Sequence, residues 1–286
     1  MLLTFHGVRG STPCHGREIA RYGGNTSCVS VVVPGHDPVL CDLGTGLRYF
    51  GLGCDPEATF QGTCLLSHLH WDHVQGLPFF SPLLRPGSHL TVYSPHPEQG
   101  GSVAEVMADT IKPPLFPVTL EQLPGSISYI EVADTEFTLH GRHPEAEPIE
   151  VMTRLIPHVG ATAGYRITWK QISVSYLSDH QQPIDGSMTV APGALELCAG
   201  ADVVIHDAQY TPEEFATKRD WGHCTIDYAI NVAVQAGAKM LVLFHHDPAH
   251  HDDLLDQLAR EAAARGREYG LEVVAAFEGM TLQLSC

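Results

Sequence analysis

Short apolar runs rich in β-branched residues alternate along this chain with turns marked by glycine and proline. That rhythm predicts strands. A first series is expected at residues 2–5, 25–33, 39–42, 62–66 and 90–93. A second covers 127–132, 136–140, 152–157, 165–169, 173–177, 201–205, 240–244 and 271–277, the last closing the sheet. Helical spacing is rarer. It predicts a helix over 103–110 and another from the N-cap Thr225 to Gln235, stopped by Gly237. Ile226, Ile230 and Val234 mark the buried face of that second helix. A third helix is expected at 252–266, with Leu254, Leu255, Leu258 and Ala262 on one side. The proline-rich and irregular stretch within 95–148 reads as a surface insertion in a single domain spanning 1–286.

Several expected strands end in residues able to bind metal. The run 62–66 leads directly into Ser67-His-Leu-His-Trp-Asp-His73. His68, His70, Asp72 and His73 thus fall within six residues. One histidine after a strand is ordinarily structural. Three imidazoles and a carboxylate at one strand end suit divalent ions, zinc before others. The turn after the strand should point His68 and His70 one way and Asp72 and His73 another, which implies two metals. His158, Asp179, Asp207 and His245 also lie at or just past strand ends, where side chains converge without disturbing a sheet. His246 competes with His245. Asp42 suits either a hydrogen bond to a ligand histidine or a turn cap.

Charge and cysteine content narrow the partners. Against 33 acidic residues stand 16 lysines and arginines, giving a net charge of -17. This balance opposes an extended nucleic-acid footprint and an anionic membrane surface. It leaves room for a small anionic substrate, because bound cations would dominate the local field. The eight cysteines stand singly, without a Cys-x-x-Cys pair. No basic and apolar leader opens the chain, and no apolar run is long enough to cross a bilayer. A cytoplasmic protein with free thiols is the expectation, with Cys224 a packing residue.

The His-x-His-x-Asp-His motif resembles that of the metallo-β-lactamase superfamily. The resemblance implies a four-layer αβ/βα sandwich with a binuclear site at the edge of its sheets. Pro157-His-Val-Gly-Ala-Thr-Ala-Gly-Tyr-Arg-Ile167, Tyr176-Leu-Ser-Asp179 and Leu241-Val-Leu-Phe-His245 resemble segments of its tRNA 3′-processing branch. His68, His70 and His158 are then expected on one metal, and Asp72, His73 and His245 on the other. Asp179 would bridge them. Trp221-Gly-His-Cys-Thr-Ile226 resembles the His-Ser-Thr motif of the same phosphodiesterase branch. That likeness implies that His223 serves the leaving group, oriented by Asp207, while Asp72 helps to orient the attacking water. The chain lacks a projecting arm rich in Gly and Lys/Arg, a departure that favours the branch's small-substrate members, which include cyclic-nucleotide phosphodiesterases. The expected activity is hydrolysis of a small phosphodiester by an activated water, with two divalent ions (Zn2+, or Mn2+ or Fe2+), in a chain that can form a homodimer. The competing readings are an acyl hydrolase of lactonase or thioesterase type and a non-catalytic, metal-stabilised binding protein.

Overall fold

The computed structural model describes residues 1–285, and their strands form two seven-stranded sheets. The first half of the chain supplies β1 (Leu2–Gly7), β2 (Cys28–Val32), β3 (Val39–Cys41), β4 (Gln61–Leu65), β5 (His89–Pro95) and β6 (Ser126–Val132). The second supplies β7 (Thr135–Leu139), β8 (Ile149–Leu155), β9 (Ala163–Trp169), β10 (Ile172–Leu177), β11 (Val203–Asp207), β12 (Met240–Phe244) and β13 (Glu272–Ala275). A final strand, β14 (Thr281–Gln283), crosses back to pair with β1. The sheet orders are β14-β1-β2-β3-β4-β5-β6 and β13-β12-β11-β10-β9-β8-β7. Each sheet is antiparallel on one side and parallel on the other: β3 to β6 run parallel, as do β10 to β13.

The helices are α1 (Leu47–Leu52), α2 (Trp71–Val74), α3 (Val103–Thr110), α4 (Pro192–Cys198), α5 (Pro212–Phe215), α6 (Ile226–Gln235) and α7 (Asp252–Glu268). Three apolar layers hold the fold together. Phe5, Val29, Val31, Tyr165, Val174, Tyr176 and Phe244 fill the space between the sheets. Ala194, Leu197, Ile230, Ala233, Leu258 and Ala262 seat α4, α6 and α7 on the outer face of the second sheet. Leu47, Leu77, Phe80, Val103 and Met107 cover the outer face of the first. Helices, sheet, sheet and helices make the expected four-layer α/β sandwich. Burying both faces of each sheet explains why the central strands read as continuous apolar runs.

The predicted helix 103–110 is found with those bounds, and Thr225 caps α6 by accepting from Tyr228 N at 3.1 Å. Three expectations change. The stretch 95–148 is not peripheral throughout, because β6 and β7 are the edge strands of the two sheets; its irregular part lies between β5 and β6. The strand expected at 201–205 is shifted to β11, which puts Asp207 on its last residue. The strand expected at 271–277 is shorter and closes only one sheet, since β14 edges the other. The helices α1, α2, α4 and α5 span only four to seven residues, too few to show a helical period in the sequence.

Candidate metal centre

The ends of β4, β10, β11 and β12 meet at one edge of the sandwich. The polypeptide leaves β4, stays extended through His70 (φ −62°, ψ 150°) and enters α2 at Trp71. This change from strand to helix divides the motif, so that Asp72 and His73 turn away from His68 and His70. Donor atoms of His68, His70, His158 and Asp179 lie within 4.8 Å of one another, and so do those of Asp72, His73 and His245. Asp179 faces both groups. Its Oδ2 is 3.7 Å from His68 Nε2 and 3.6 Å from His158 Nε2, and its Oδ1 is 3.3 Å from both His73 Nε2 and His245 Nε2. Asp72 Oδ2 lies 3.2 Å from His73 Nε2 and 3.3 Å from His245 Nε2. All seven residues expected as ligands are brought together. His246 points elsewhere: its Nε2 donates to the Ala276 carbonyl at 2.9 Å.

Hydrogen bonds behind the cluster fix which nitrogen each ring offers. Asp42 is fully buried, with φ of 62°, just past β3. Its Oδ2 accepts from His73 Nδ1 at 2.7 Å, Ser67 Oγ at 2.9 Å and Tyr176 OH at 2.7 Å, and its Oδ1 accepts from Ser67 N at 2.7 Å. A carboxylate only accepts, so His73 carries its proton on Nδ1 and presents the Nε2 lone pair to the site. With the Ser67 hydrogen committed to Asp42, Ser67 Oγ accepts from His68 Nδ1 at 3.0 Å. His158 Nδ1 donates to the Gly222 carbonyl at 2.7 Å. Three rings therefore aim bare Nε2 atoms inward, as neutral histidine ligands must. Of the two sequence readings for Asp42, the geometry gives it the bond to a ligand-type histidine. Ser67, Tyr176 and Gly222 were missed by motif reasoning, since a serine, a tyrosine and a carbonyl carry no metal signature of their own.

Two glycines make room for these rings. A Cβ at Gly10 would stand 2.5 Å from His245 Nδ1, and one at Gly222 (φ +93°) would stand 2.4 Å from His158 Cε1. The loop holding Gly10 also supplies Ser11 N, which donates to Asp72 Oδ2 at 2.7 Å.

The electrostatics call for a cation. His68 Nε2, His73 Nε2 and Asp179 Oδ1 are buried and lack hydrogen-bond partners. Burial pushes the His158 imidazole down to about 4 and holds His68 well below its ordinary range. Burial also opposes charge on His73, yet Asp72, Asp179 and Asp42 raise its pKa well above the usual value, a pull toward positive charge at Nε2 that a metal ion would satisfy in place of a second proton. Burial works against an ionised Asp179, but His245, His73 and His68 keep its carboxyl well below the normal range. Orphaned acceptors in such a setting are costly unless a positive charge engages them. The donor set fits divalent metal ions.

His223 and Asp207 form a separate dyad. His223 Nδ1 donates to Asp207 Oδ2 at 2.7 Å, and Asp207 Oδ1 accepts from Gln209 N at 3.1 Å. Asp179, Asp207, His223 and His245 also gather within 4.8 Å. That group is not an independent ligand set, because His223 Nδ1 is already committed to Asp207. The His223 ring lies 5.6 Å from that of His158 and 5.0 Å from that of His245, beside the cluster. Burial lowers its pKa less than Asp207, Asp179 and Asp72 raise it, so the shift is upward. Cys224 packs beneath the dyad with its thiol pushed well above the ordinary range by burial, as expected of a packing residue.

A two-sheet sandwich with histidines and carboxylates gathered at one edge defines a hydrolase of the metallo-β-lactamase fold. The chain belongs to that superfamily: the family model described as the Beta-lactamase superfamily domain matches residues 61–246. It is 28% identical over 239 residues to ribonuclease Z of Anoxybacillus flavithermus, a match covering 69% of this chain and 72% of the relative. Among solved structures it resembles the short form of human tRNase Z (TM-score 0.66, 21% identity, all of both chains). It also resembles a diphosphatase of the PhnP family (TM-score 0.69, 18% identity, 99% of this chain and 98% of the other). Among the described residues, no helix is long and apolar enough to cross a membrane.

Proposed function

We propose that this protein is a binuclear metal-dependent phosphodiesterase acting on a small phosphodiester, with a cyclic nucleotide as one member of that class. His68, His70 and His158 would hold one divalent cation, and Asp72, His73 and His245 the other, with one oxygen of Asp179 directed to each. Zinc suits this nitrogen-rich set, as manganese or iron would. When bound, such ions supply Lewis acidity toward phosphoryl oxygens and lower the pKa of water. The protein's own residues do the rest. Ser67, Asp42 and Gly222 lock the ring tautomers, and Ser11 N helps to hold Asp72, whose carboxylate would orient water. His223 gives a proton to the leaving oxygen through Nε2, while Asp207 on Nδ1 keeps the ring oriented and favours its protonated form.

The observation that carries this reading is the His223–Asp207 bond at 2.7 Å, a buried acid beside the ligand cluster that the ligand set does not need. An alkoxide leaving group requires such an acid. Substrate size is supported by the net charge of -17. A tRNA substrate, offered by the name of the human neighbour, is the competing choice.

The test is turnover of bis(p-nitrophenyl) phosphate, cyclic mononucleotides and precursor tRNA by metal-loaded protein. His223→Ala is expected to keep its metal content and lose about 10²- to 10⁴-fold in kcat on the cyclic mononucleotides, whose leaving group is an alkoxide. Because the acid form is the working one and its pKa is raised, activity should fall as pH rises through that pKa. In His223→Ala this alkaline limb should vanish. Absence of phosphodiester cleavage by fully metallated wild-type protein would overturn the proposal.

A further inference from the structure

Beside residues of the metal centre in the chain stand exposed apolar side chains that neither the ligand set nor the dyad uses. Of the three tryptophans in the chain, Trp169 is 9% exposed, whereas Trp221 is 61% and Trp71 54% exposed. Both exposed ones flank site residues: Trp71 follows His70, and Trp221 stands two residues before His223. Val159, 50% exposed, follows His158. The backbones bearing these three belong to one rim, since His158 Nε2 is 3.2 Å from His70 Nδ1 and His158 Nδ1 is bonded to the Gly222 carbonyl. His70 is the solvent-exposed member of the ligand cluster, which puts the open side of the site at this rim.

Trp221 is also held in place. The next residue, Gly222, takes φ of +93° and is fastened to His158. Lys218 Nζ lies over the indole, 5.7 Å from its centroid, and over the Tyr210 ring at 4.7 Å, and is anchored to Asp247 Oδ2 at 3.0 Å. Lys218 and the exposed Arg219 place two of the 16 basic residues of an acidic chain at this edge. A large indole left in water, supported by a cation and tied to the catalytic frame, has the character of a stacking platform and not of misplaced core.

We infer that Trp221, together with Trp71, forms a platform that selects phosphodiesters bearing a nucleobase on the part of the substrate that does not leave. This deepens the phosphodiesterase reading and rests on it. Base stacking on an aromatic side chain tolerates any base, so the platform selects nucleoside esters as a class.

The experiment compares two esters with the same p-nitrophenolate leaving group, thymidine 5′-(p-nitrophenyl) phosphate and methyl p-nitrophenyl phosphate. Wild-type protein should prefer the nucleoside ester. Trp221→Ala should lower the ratio of the two kcat/KM values by about tenfold, and Trp221→Phe should keep most of it. Thymidine 5′-monophosphate should quench the intrinsic fluorescence of the wild type and quench that of Trp221→Ala much less, with only Trp71 left on the platform, a readout independent of turnover. An unchanged ratio in Trp221→Ala, or an equal fall for both esters, overturns the stacking role while leaving the phosphodiesterase reading intact. Cleavage of neither ester by metallated wild type overturns the phosphodiesterase reading itself, and this inference with it.

Discussion

Replacing Asp42 by asparagine tests the idea that a residue touching no metal decides whether one binds. Asn tolerates the left-handed backbone found at φ 62°, so the change alters hydrogen bonding and leaves the turn unstrained. Asp42 accepts four hydrogen bonds between 2.7 and 2.9 Å from Ser67 N, Ser67 Oγ, His73 Nδ1 and Tyr176 OH. An amide has one accepting oxygen and an NH₂ that must donate. If the oxygen stays with Ser67 N, the NH₂ faces His73 Nδ1 and moves the ring proton to Nε2, the atom aimed at Asp72 and Asp179. If the amide flips, NH₂ meets the Ser67 N–H. Either arrangement leaves a buried donor unmatched, at about 1–3 kcal/mol. Loss of the correct tautomer should weaken metal binding about 10- to 100-fold. Zinc titration against a competing chelator reads the affinity, and thermal unfolding of the metal-free protein reads the cost to the fold. Wild-type zinc affinity in a folded Asp42→Asn protein would refute the tautomer argument.

Gly10→Ala puts a Cβ 2.5 Å from the His245 ring; overpacking there should cost about 1–3 kcal/mol and lower the metal content measured by elemental analysis, with little effect expected if His245 is not a ligand. Chelation should lower the unfolding temperature, because ions that bind only the folded state stabilise it by mass action, and added zinc should restore it. Burial holds His246 at about 3, below its ordinary value. The unfolded chain therefore takes up the proton first, and this group's effect is a loss of folded-state stability as pH falls below about 6.5. Between pH 8 and pH 5 that loss is about 2 kcal/mol, so the stability of metal-free wild type relative to His246→Gln should decline by that amount in urea titrations.

The strand ends and the sequence between Ser67 and His73 already pointed to the donor cluster that the fold assembles. A compact group of imidazoles after a strand needs no partner to be recognised, and the buried strands announce themselves by their unbroken apolar character. The edge strands β6 and β7 were legible as strands, yet their place in the two sheets was not, because pairing depends on residues far away in the chain. The short helices were invisible for want of a full period. For Asp42 the choice between a bond to a ligand histidine and a turn cap stayed open, and Ser67 carried no signal, until β3 and β4 paired in parallel and brought the two together.

What the order of residues determined by itself is local: which segments become strands, where α6 and α7 run, and that His68, His70, Asp72 and His73 stand within six residues of one another. Tertiary structure decided what required distance to be cancelled. It turned the two oxygens of Asp179 toward different groups of histidines, chose His245 over His246, set the ring tautomers through Asp42 and Gly222, and fastened His223 to Asp207. The physical reason is that donor identity is a property of a side chain, whereas lone-pair direction and charge balance belong to the whole set of atoms that folding assembles.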